Sequence, residues 1–249
     1  TVIGAGGNVG STVTLSVAQR DFVKEVIALD LERKQDDKTF FPSKGRALDQ
    51  WEASPIHLFD TRIKGTADYA DTAGSDVCVI TAGVPRRPGM SRDDLLEINA
   101  NIVRSVTAEL VKYSPDTILI IVSNPLDVMV KVAKDESGLP YEKVMGMAGI
   151  LDTARYRAFI ADELNVSPKD IQALLMGGHG DTMVPLPRFT TLSGIPITQF
   201  ISEERLDEIV GRAKKGGGEI VGLMGTSAWY APGAAAAQMV EAILLDQNR

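Results

Sequence analysis

The chain has 249 residues, of which 44% are hydrophobic and 24% are charged, and its formal net charge is −7. This composition is typical of a globular protein, and an acidic chain without basic blocks does not favour nucleic acid as a partner. No apolar run approaches the ~20 residues that a membrane-spanning helix needs.

Apolar runs alternate with longer segments of helical periodicity along much of the chain. The runs are predicted as strands at residues 1–3, 25–30, 76–81, 117–122, 144–148 and 171–176. The helical segments are predicted at residues 9–19, 45–53, 91–112, 126–134 and 152–164. This alternation indicates an α/β protein with a doubly wound parallel sheet that helices cover on both faces.

The pattern changes near residue 150, where short strands and turns precede three helical segments at 203–215, 217–223 and 234–246. We therefore predict two domains, 1–147 and 148–249. The chain begins inside a strand and stops after a helical segment, so we expect its natural ends to be missing. Cys78 lies in an apolar run and is predicted to be a buried thiol, which fits a reducing cytoplasm.

A glycine-rich segment, GAGGNVG (4–10), joins the first strand to the first helix. Such a turn lets backbone N–H groups approach a pyrophosphate, and Asp30 at the end of the second strand can accept both adenosine ribose hydroxyls. NAD is therefore favoured over NADP. The spacing leaves two registers open, Gly4–Gly6–Gly10 or Ala5–Gly7–Gly10, and an ordinary strand–helix turn is the alternative interpretation.

Two segments follow strands whose carboxyl ends are expected at the ligand-binding edge of the sheet. The first, PRRPGMSR, carries Arg86, Arg87 and Arg92. Arg87 is interpreted as solvated, whereas Arg86 and Arg92 belong either to a solvated loop or to a lid that closes over an anionic substrate. The second segment, VSNP, presents Asn124 either to a ligand or as a turn initiator.

The second domain contains an Asp–Arg pair and a histidine between glycines. Asp152 and Arg155 share one helical face, and they form either a minor ion pair or part of a site. In a site, Asp152 would orient an imidazole ring and Arg155 would bind the carboxylate of a ligand. Of the two histidines, His57 is interpreted as structural, and His179 in GGHGD can be approached closely by a ligand because glycines flank it. No metal site is predicted, since no ligand-type residues stand at suitable spacing around His179.

These motifs together resemble the lactate/malate dehydrogenase family, and most of all its bacterial malate dehydrogenases that are close to lactate dehydrogenase. The matching segments, in chain order, are GAGGNVG, Asp30, PRRPGMSRDDL, VSNPLD, GMAGILDTARYR and GGHGDTMVP. The resemblance covers essentially the whole chain. It implies a Rossmann-type NAD-binding domain followed by an α+β catalytic domain that is incomplete at its C-terminal end.

The resemblance also implies a role for each matching residue. His179 would be the proton donor and acceptor, Asp152 its partner, and Arg155 the clamp for the substrate's C1 carboxylate. Arg92 would polarise the reacting carbonyl, and Arg86 would pair with the second carboxylate of malate or oxaloacetate, where lactate dehydrogenases carry Gln. The implied cofactor and substrate contacts are Gly4, Ala5, Gly6, Gly7, Asn8, Val9, Gly10, Asp30, Asn99, Val122, Ser123 and Asn124.

The resemblance implies NAD as cofactor, a small dicarboxylate as substrate, a homodimer or homotetramer, and a cytoplasmic enzyme of the tricarboxylic acid cycle. Two features depart from the family pattern: the extra glycine in the first turn and the long charged segment 31–44, which is predicted as a solvated loop. A lactate or other 2-hydroxy acid dehydrogenase is one alternative. An inactive NAD-binding module is another.

Overall fold

We describe the protein from a computed structural model, which covers residues 1–84, 92–180 and 182–248 and, for Arg92, the backbone alone. It divides into two compact units. The first comprises Thr1–Met147 and the residues from Trp229 onward, and the second comprises Ala148–Ala228. The first point of division coincides with the predicted domain boundary. The return of the chain to the first unit differs from the predicted second domain, 148–249.

The first unit is built on a six-stranded parallel sheet. Its strands are, in chain order, β1 (Val2–Ile3), β2 (Glu25–Leu29), β5 (Arg62–Thr66), β6 (Val77–Ile80), β7 (Ile118–Ile121) and β8 (Val144–Gly146). Their spatial order is β5-β2-β1-β6-β7-β8, so the strand order reverses between β1 and β6. This is the Rossmann arrangement, in which a nucleotide binds at the carboxyl ends of the strands near the reversal. The predicted doubly wound sheet is confirmed.

The central strands are buried along most of their length, which explains why their sequences are almost continuously apolar. All four residues of β6 are buried, among them Cys78, as predicted. The helices of this unit are α1 (Asn8–Ala18), α2 (Pro42–Glu52), the short α3 (Ser54–His57), α4 (Arg92–Tyr113), α5 (Leu126–Ser137) and α8 (Tyr230–Leu244). Single-turn 3₁₀ helices lie at Tyr69–Thr72 and Tyr141–Lys143.

Most of the segment 31–44 forms a hairpin rather than the predicted loop, and its last three residues begin α2. Its strands are β3 (Arg33–Gln35) and β4 (Lys38–Phe40), and they pair antiparallel through a two-residue turn. Asp36 and Asp37 have φ values of 47° and 61°, the left-handed conformation that such a turn requires at both positions. Every residue of both strands is exposed, so the prediction of solvent exposure was right and that of irregular structure was wrong.

The second unit combines two helices with short antiparallel strands. The helices are α6 (Gly149–Leu164) and α7 (Glu203–Met224), and the strands are β9 (Ile171–Gln172), β10 (Leu175–Gly177), β11 (Met183–Pro185), β12 (Thr191–Leu192) and β13 (Ile195–Pro196). Two 3₁₀ turns, Pro187–Phe189 and Ile197–Gln199, connect them. The single strand predicted at 171–176 is thus two strands, which pair with different partners.

Helix α7 runs unbroken through three consecutive glycines, Gly216–Gly218, although two helices were predicted there. Each glycine costs about 1 kcal/mol relative to alanine in a helix interior. The buried stripe of α7 offsets this cost, because it packs in the core that α6 and the strands form. The buried residues of this stripe are Leu206, Ile209, Val210, Ala213 and Gly216.

Helix α8 packs against α1 in the first unit. Its buried residues are mostly small, so the two helices approach closely; they are Pro232, Gly233, the run Ala235–Ala237 and Val240. A Cβ atom at Gly233 would lie 2.5 Å from Cγ2 of Thr12. Among the described residues, no helix is both long enough and apolar enough to cross a membrane.

Candidate active site

Helix α6 places Asp152 and Arg155 side by side near its first turn. Nη1 of Arg155 donates to Oδ1 of Asp152 at 3.3 Å, and the two side chains are 14% and 3% exposed. The predicted i,i+3 pair therefore exists, and it is more buried than an ordinary surface ion pair. A carboxylate buried to this extent requires compensating partners, because desolvation destabilises its charge.

His179 supplies the second partner of this carboxylate. Its Nδ1 lies 2.9 Å from Oδ2 of Asp152, so each oxygen of Asp152 contacts a different residue. An ionised carboxylate can only accept a hydrogen bond, and the hydrogen of a neutral His179 ring is therefore fixed on Nδ1. This leaves the lone pair of Nε2 for a proton from another molecule. The ring is 25% exposed, so it is partly open to solvent.

The turn that carries His179 depends on glycines at two positions. Gly177 has a φ of +87°, and a Cβ atom there would lie 2.5 Å from the carbonyl oxygen of Thr182. Gly180 has a φ of +139°, which residues other than glycine rarely adopt. The glycines of this segment thus give the backbone the shape that presents the histidine, in addition to the open space that the sequence predicted.

Thr153 is a site residue that the sequence analysis missed. Its Oγ1 accepts a hydrogen bond from the backbone N–H of Leu175 at 3.0 Å, which ties α6 to the start of β10. This bond holds the strand before His179 against the helix that carries Asp152. Its position next to Asp152 is the only sequence signal, and a threonine inside a helix gives no indication of such a bond by itself.

The glycine turn of the first unit is shaped by three positions without room for a side chain. Gly4 has a φ of +82°, and a Cβ atom at Gly10 would lie 2.4 Å from the carbonyl oxygen of Gly4. A Cβ atom at Gly6 would lie 2.7 Å from Oδ2 of Asp30, whereas one at Gly7 would meet its nearest atom at 3.2 Å. The geometry therefore favours the longer register, Gly4–Gly6–Gly10, of the two left open.

Asp30 follows β2 and is tied directly to this turn. Its Oδ2 accepts a hydrogen bond from the backbone N–H of Gly6 at 2.8 Å, and its Oδ1 accepts one from Leu31 at 2.8 Å. Helix α1 begins directly after the turn, with no side-chain cap and no acidic residue in its first turn. No carboxylate of its own first turn offsets the partial positive charge at its N-terminus, where Asn8 and Val9 lie.

Asn99 of α4 and the predicted residues after β7 belong to one hydrogen-bond network in the first unit. The amide of Asn99, which is 2% exposed, accepts from Val84 N–H at 2.8 Å and donates to the carbonyl oxygens of Val84 and Asn124 at 3.2 and 2.7 Å. The hydroxyl of Ser123 donates to the carbonyl oxygen of Ala82 at 2.5 Å. Asn99 and Ser123 thus fix the backbone at the ends of β6 and β7, where Val122 is half-buried and Asn124 is exposed.

Several residues that the sequence predicted for the site are not among the residues that the structure describes. Arg86, Arg87 and Asp181 lie in the residues that the structure does not describe, and Arg92 is described only as the first residue of α4. His57 is exposed in the last turn of α3 in the first unit, whereas Asp152 and His179 belong to the second unit. Within the described ranges, no cluster of three His, Cys, Asp or Glu residues could hold a metal ion.

Comparison with known proteins relates both units to one family. The sequence profile of the lactate/malate dehydrogenase NAD-binding domain matches residues 1–146, and that of the α/β C-terminal domain of the same family matches residues 150–249. A malate dehydrogenase of Salinibacter ruber is 62% identical over 249 residues, which is 100% of this chain and 77% of that protein.

Solved structures agree with this relationship. The 1.55 Å structure of malate dehydrogenase from Salinibacter ruber has a TM-score of 0.91 and 59% identity, over 100% of this chain and 76% of that chain. A lactate dehydrogenase from Cryptosporidium parvum, solved with lactic acid and nicotinamide adenine dinucleotide, has a TM-score of 0.89 and 38% identity, over 99% and 77% of the two chains. The fold is thus shared by enzymes of both names, and it does not by itself distinguish their substrates.

Proposed function

The chain belongs to the lactate/malate dehydrogenase family, and we propose that it catalyses the reversible, NAD-dependent oxidation of (S)-malate to oxaloacetate. The observation that carries this proposal is the contact between His179 and the buried carboxylate of Asp152, with Arg155 on the same carboxylate. The 62% identity to a malate dehydrogenase over the whole chain supports malate rather than lactate as the substrate.

The first unit fits NAD as the cofactor. The turn at Gly4–Gly10 brings backbone N–H groups to the start of α1, where the pyrophosphate would bind. Asp30 stands at the end of β2 with both oxygens anchored by backbone N–H groups, so its remaining lone pairs can accept the ribose hydroxyls. A 2′-phosphate at that position would meet a like charge, which favours NAD over NADP.

His179 is the proposed acid–base residue. In malate oxidation its Nε2 takes the proton of the substrate's C2 hydroxyl, and in the reverse direction the protonated ring returns this proton to the carbonyl oxygen of oxaloacetate. Asp152 holds the ring through Nδ1 and stabilises the imidazolium that forms. Bound NAD would supply the acceptor for the hydride that leaves C2 of malate.

Four other residues would bind the substrate. Arg155 would bind the C1 carboxylate through its planar guanidinium. One of its five N–H donors binds Asp152, which leaves others for the substrate. Arg86 would pair with the second carboxylate, Arg92 would polarise the carbonyl, and Asn124 would donate to the substrate oxygen. These three assignments follow the family resemblance of the sequence.

The dicarboxylate specificity is tested by the rates with oxaloacetate and pyruvate. We expect wild type to prefer oxaloacetate over pyruvate, because pyruvate has no second carboxylate to pair with Arg86 and an unpaired buried charge costs several kcal/mol. Arg86→Gln should therefore lower the ratio of kcat/KM for oxaloacetate to kcat/KM for pyruvate by about 100-fold or more. The measurement is NADH oxidation at steady state with each substrate. Faster turnover of pyruvate by wild type would favour the lactate dehydrogenase alternative, and a ratio unchanged by Arg86→Gln would reject the role of Arg86.

His179→Asn is the control without proton transfer in the same assay. If NADH binds but wild type and His179→Asn turn over oxaloacetate at the same low rate, the chain is an inactive NAD-binding module and not the proposed enzyme.

We further propose that the protein is cytoplasmic and acts in the tricarboxylic acid cycle as a homodimer or homotetramer. Exposed apolar side chains on α2 and α3, namely Leu48 and Ile56, support self-association, which light scattering measures.

A further inference from the structure

We propose that Gly216 of α7 is a positioning residue for Arg155, and that its missing side chain sets where the guanidinium meets the substrate carboxylate. This inference rests on the proposed role of Arg155 as the substrate clamp. Gly216 is buried and lies on the packed stripe of α7, at the point where the side chain of Arg155 lies against the helix.

The space at Gly216 is filled by the side chain of Arg155. A Cβ atom at Gly216 would lie 3.1 Å from Cδ, 3.3 Å from Nε and 3.8 Å from Cζ of Arg155. The first two distances are shorter than an ordinary van der Waals contact between carbon or nitrogen atoms. Any side chain at this position would therefore displace either the arginine or the helix.

The helix is held more firmly than the arginine. Nη2 of Arg205 contacts Oε2 of Glu163 at 2.7 Å, and the guanidinium of Arg212 lies 4.1 Å from the ring centroid of Phe159. Both contacts join α7 to α6, on the N-terminal side of Gly216. A retreat of α7 would also open the core around Ala213, so the arginine stem is the part that moves.

Movement of Arg155 changes more than its own position. The guanidinium also contacts Asp152 at 3.3 Å, and the same carboxylate contacts His179 at 2.9 Å. Gly216 therefore lies against Cδ and Nε of Arg155, while Asp152 holds its Nη1. A shift of a few tenths of an ångström alters the orientation in which the guanidinium meets a planar carboxylate bidentately.

The neighbouring glycines provide matched controls on the same helix. A Cβ atom at Gly217 would lie 3.7 Å from Nη2 of Arg155, an ordinary contact distance. A Cβ atom at Gly218, which is exposed, would meet no atom within 4 Å. Replacement of any of the three by alanine improves helix propensity equally, so differences between the variants report the contact with Arg155.

The test compares Gly216→Ala, Gly217→Ala and Gly218→Ala in the full chain. Gly216→Ala is expected to raise KM for oxaloacetate about three- to tenfold, because small misplacements of a positioning group have large kinetic effects. KM for NADH should stay unchanged, and the other two variants should match wild type in both constants. A Gly216→Ala enzyme with the KM values of Gly218→Ala would overturn the proposal.

Arg155→Ala separates this inference from the function on which it rests. If Arg155→Ala leaves KM for oxaloacetate unchanged, the substrate-clamp role itself is wrong. If it raises KM and Gly216→Ala does not, only the positioning role is wrong. Because alanine at 155 has no stem to displace, the effect of Gly216→Ala on kcat/KM should vanish in the double variant.

The same two single variants and their double variant also test the proposal if Gly216→Ala folds poorly. If Gly216→Ala folds poorly and the double variant with Arg155→Ala folds normally, the two positions are coupled as proposed. The thermal midpoint then measures this coupling in place of KM. A loss of folding that persists in the double variant contradicts the proposal, since the added methyl group would then clash with something other than Arg155.

Discussion

At the scale of single residues, the site depends on one buried carboxylate whose two oxygens contact different side chains. Oδ1 of Asp152 contacts Arg155, and Oδ2 contacts His179. The sequence predicts the first contact directly, because residues three apart share a helical face. The second joins residues 27 positions apart and depends on how β10 packs against α6. Only the family resemblance of GGHGD could suggest it.

Asp152→Asn tests the importance of this carboxylate. An asparagine of the same shape carries no charge to stabilise the imidazolium, and its amide N–H can favour the wrong tautomer of His179. We expect kcat to fall by about 10²- to 10⁴-fold, the range attributed to general acid–base catalysis. Steady-state oxaloacetate reduction measures the change.

The control for this variant is cofactor binding, followed by NADH fluorescence. Asp152 belongs to the second unit, whereas the glycine turn and Asp30 belong to the first, so the dissociation constant of NADH should stay at the wild-type value. An Asp152→Asn enzyme with more than a tenth of wild-type kcat would show that the histidine does not need the carboxylate.

At the scale of secondary-structure elements, the sequence was most informative where strands are buried on both faces. The strands β1, β2, β6, β7 and β8 were predicted because their residues are almost all apolar. The edge strand β5, RIKGT, was missed because only its last residue is buried, which leaves no apolar run. The hairpin of β3 and β4 was missed because its exposed strands are charged, although the Asp36–Asp37 pair is a turn signal.

The strand–helix turn is the element with the least tolerance for added side chains. At Gly6, a methyl group would lie 2.7 Å from Oδ2 of Asp30 and 2.8 Å from Cβ of Pro42. Gly6→Ala should therefore displace Asp30 and break its hydrogen bond with the backbone N–H at position 6. We expect the dissociation constant of NADH to rise at least about fivefold, the equivalent of one hydrogen bond.

Gly45→Ala is the matched control for this turn. Gly45 lies in the first turn of α2, and a Cβ atom there would meet nothing within 4 Å. Fluorescence titration with NADH should give the wild-type constant for Gly45→Ala and a weaker one for Gly6→Ala. Equal constants for the two variants would mean that Asp30 does not depend on the close approach at Gly6.

At the scale of the whole molecule, the chain leaves the first unit after Met147 and returns to it at Trp229. The sequence predicted the departure, because the strand–helix alternation stops there. It could not predict the return, since an alanine-rich helical segment is compatible with packing on either unit. The packing of α8 on α1, where Gly233 lies close to Thr12, assigns α8 to the first unit.

Gly233→Val tests the docking of α8 on α1. Its Cβ would lie 2.5 Å from Cγ2 and 2.7 Å from Cβ of Thr12, and two further methyl groups would add to this overlap. We expect the free energy of unfolding to fall by about 1–3 kcal/mol, the usual cost of overpacking. Denaturant unfolding provides the measurement.

Gly222→Val controls for the intrinsic effect of valine in a helix. Gly222 is exposed on α7, and a Cβ atom there would meet nothing within 4 Å. Its unfolding free energy should stay within about 0.5 kcal/mol of wild type, as for most surface substitutions. A Gly233→Val protein as stable as Gly222→Val would mean that α8 does not need the close approach to Thr12.

The return of α8 to the first unit imposes an order on how the protein is made. During translation the chain emerges from its N-terminus, and domains generally begin to fold as soon as they are released. Helix α1 precedes residues 148–228 of the second unit in the chain, whereas α8, which covers it, follows them. The nascent chain therefore carries the uncovered face of α1 while those residues are synthesised.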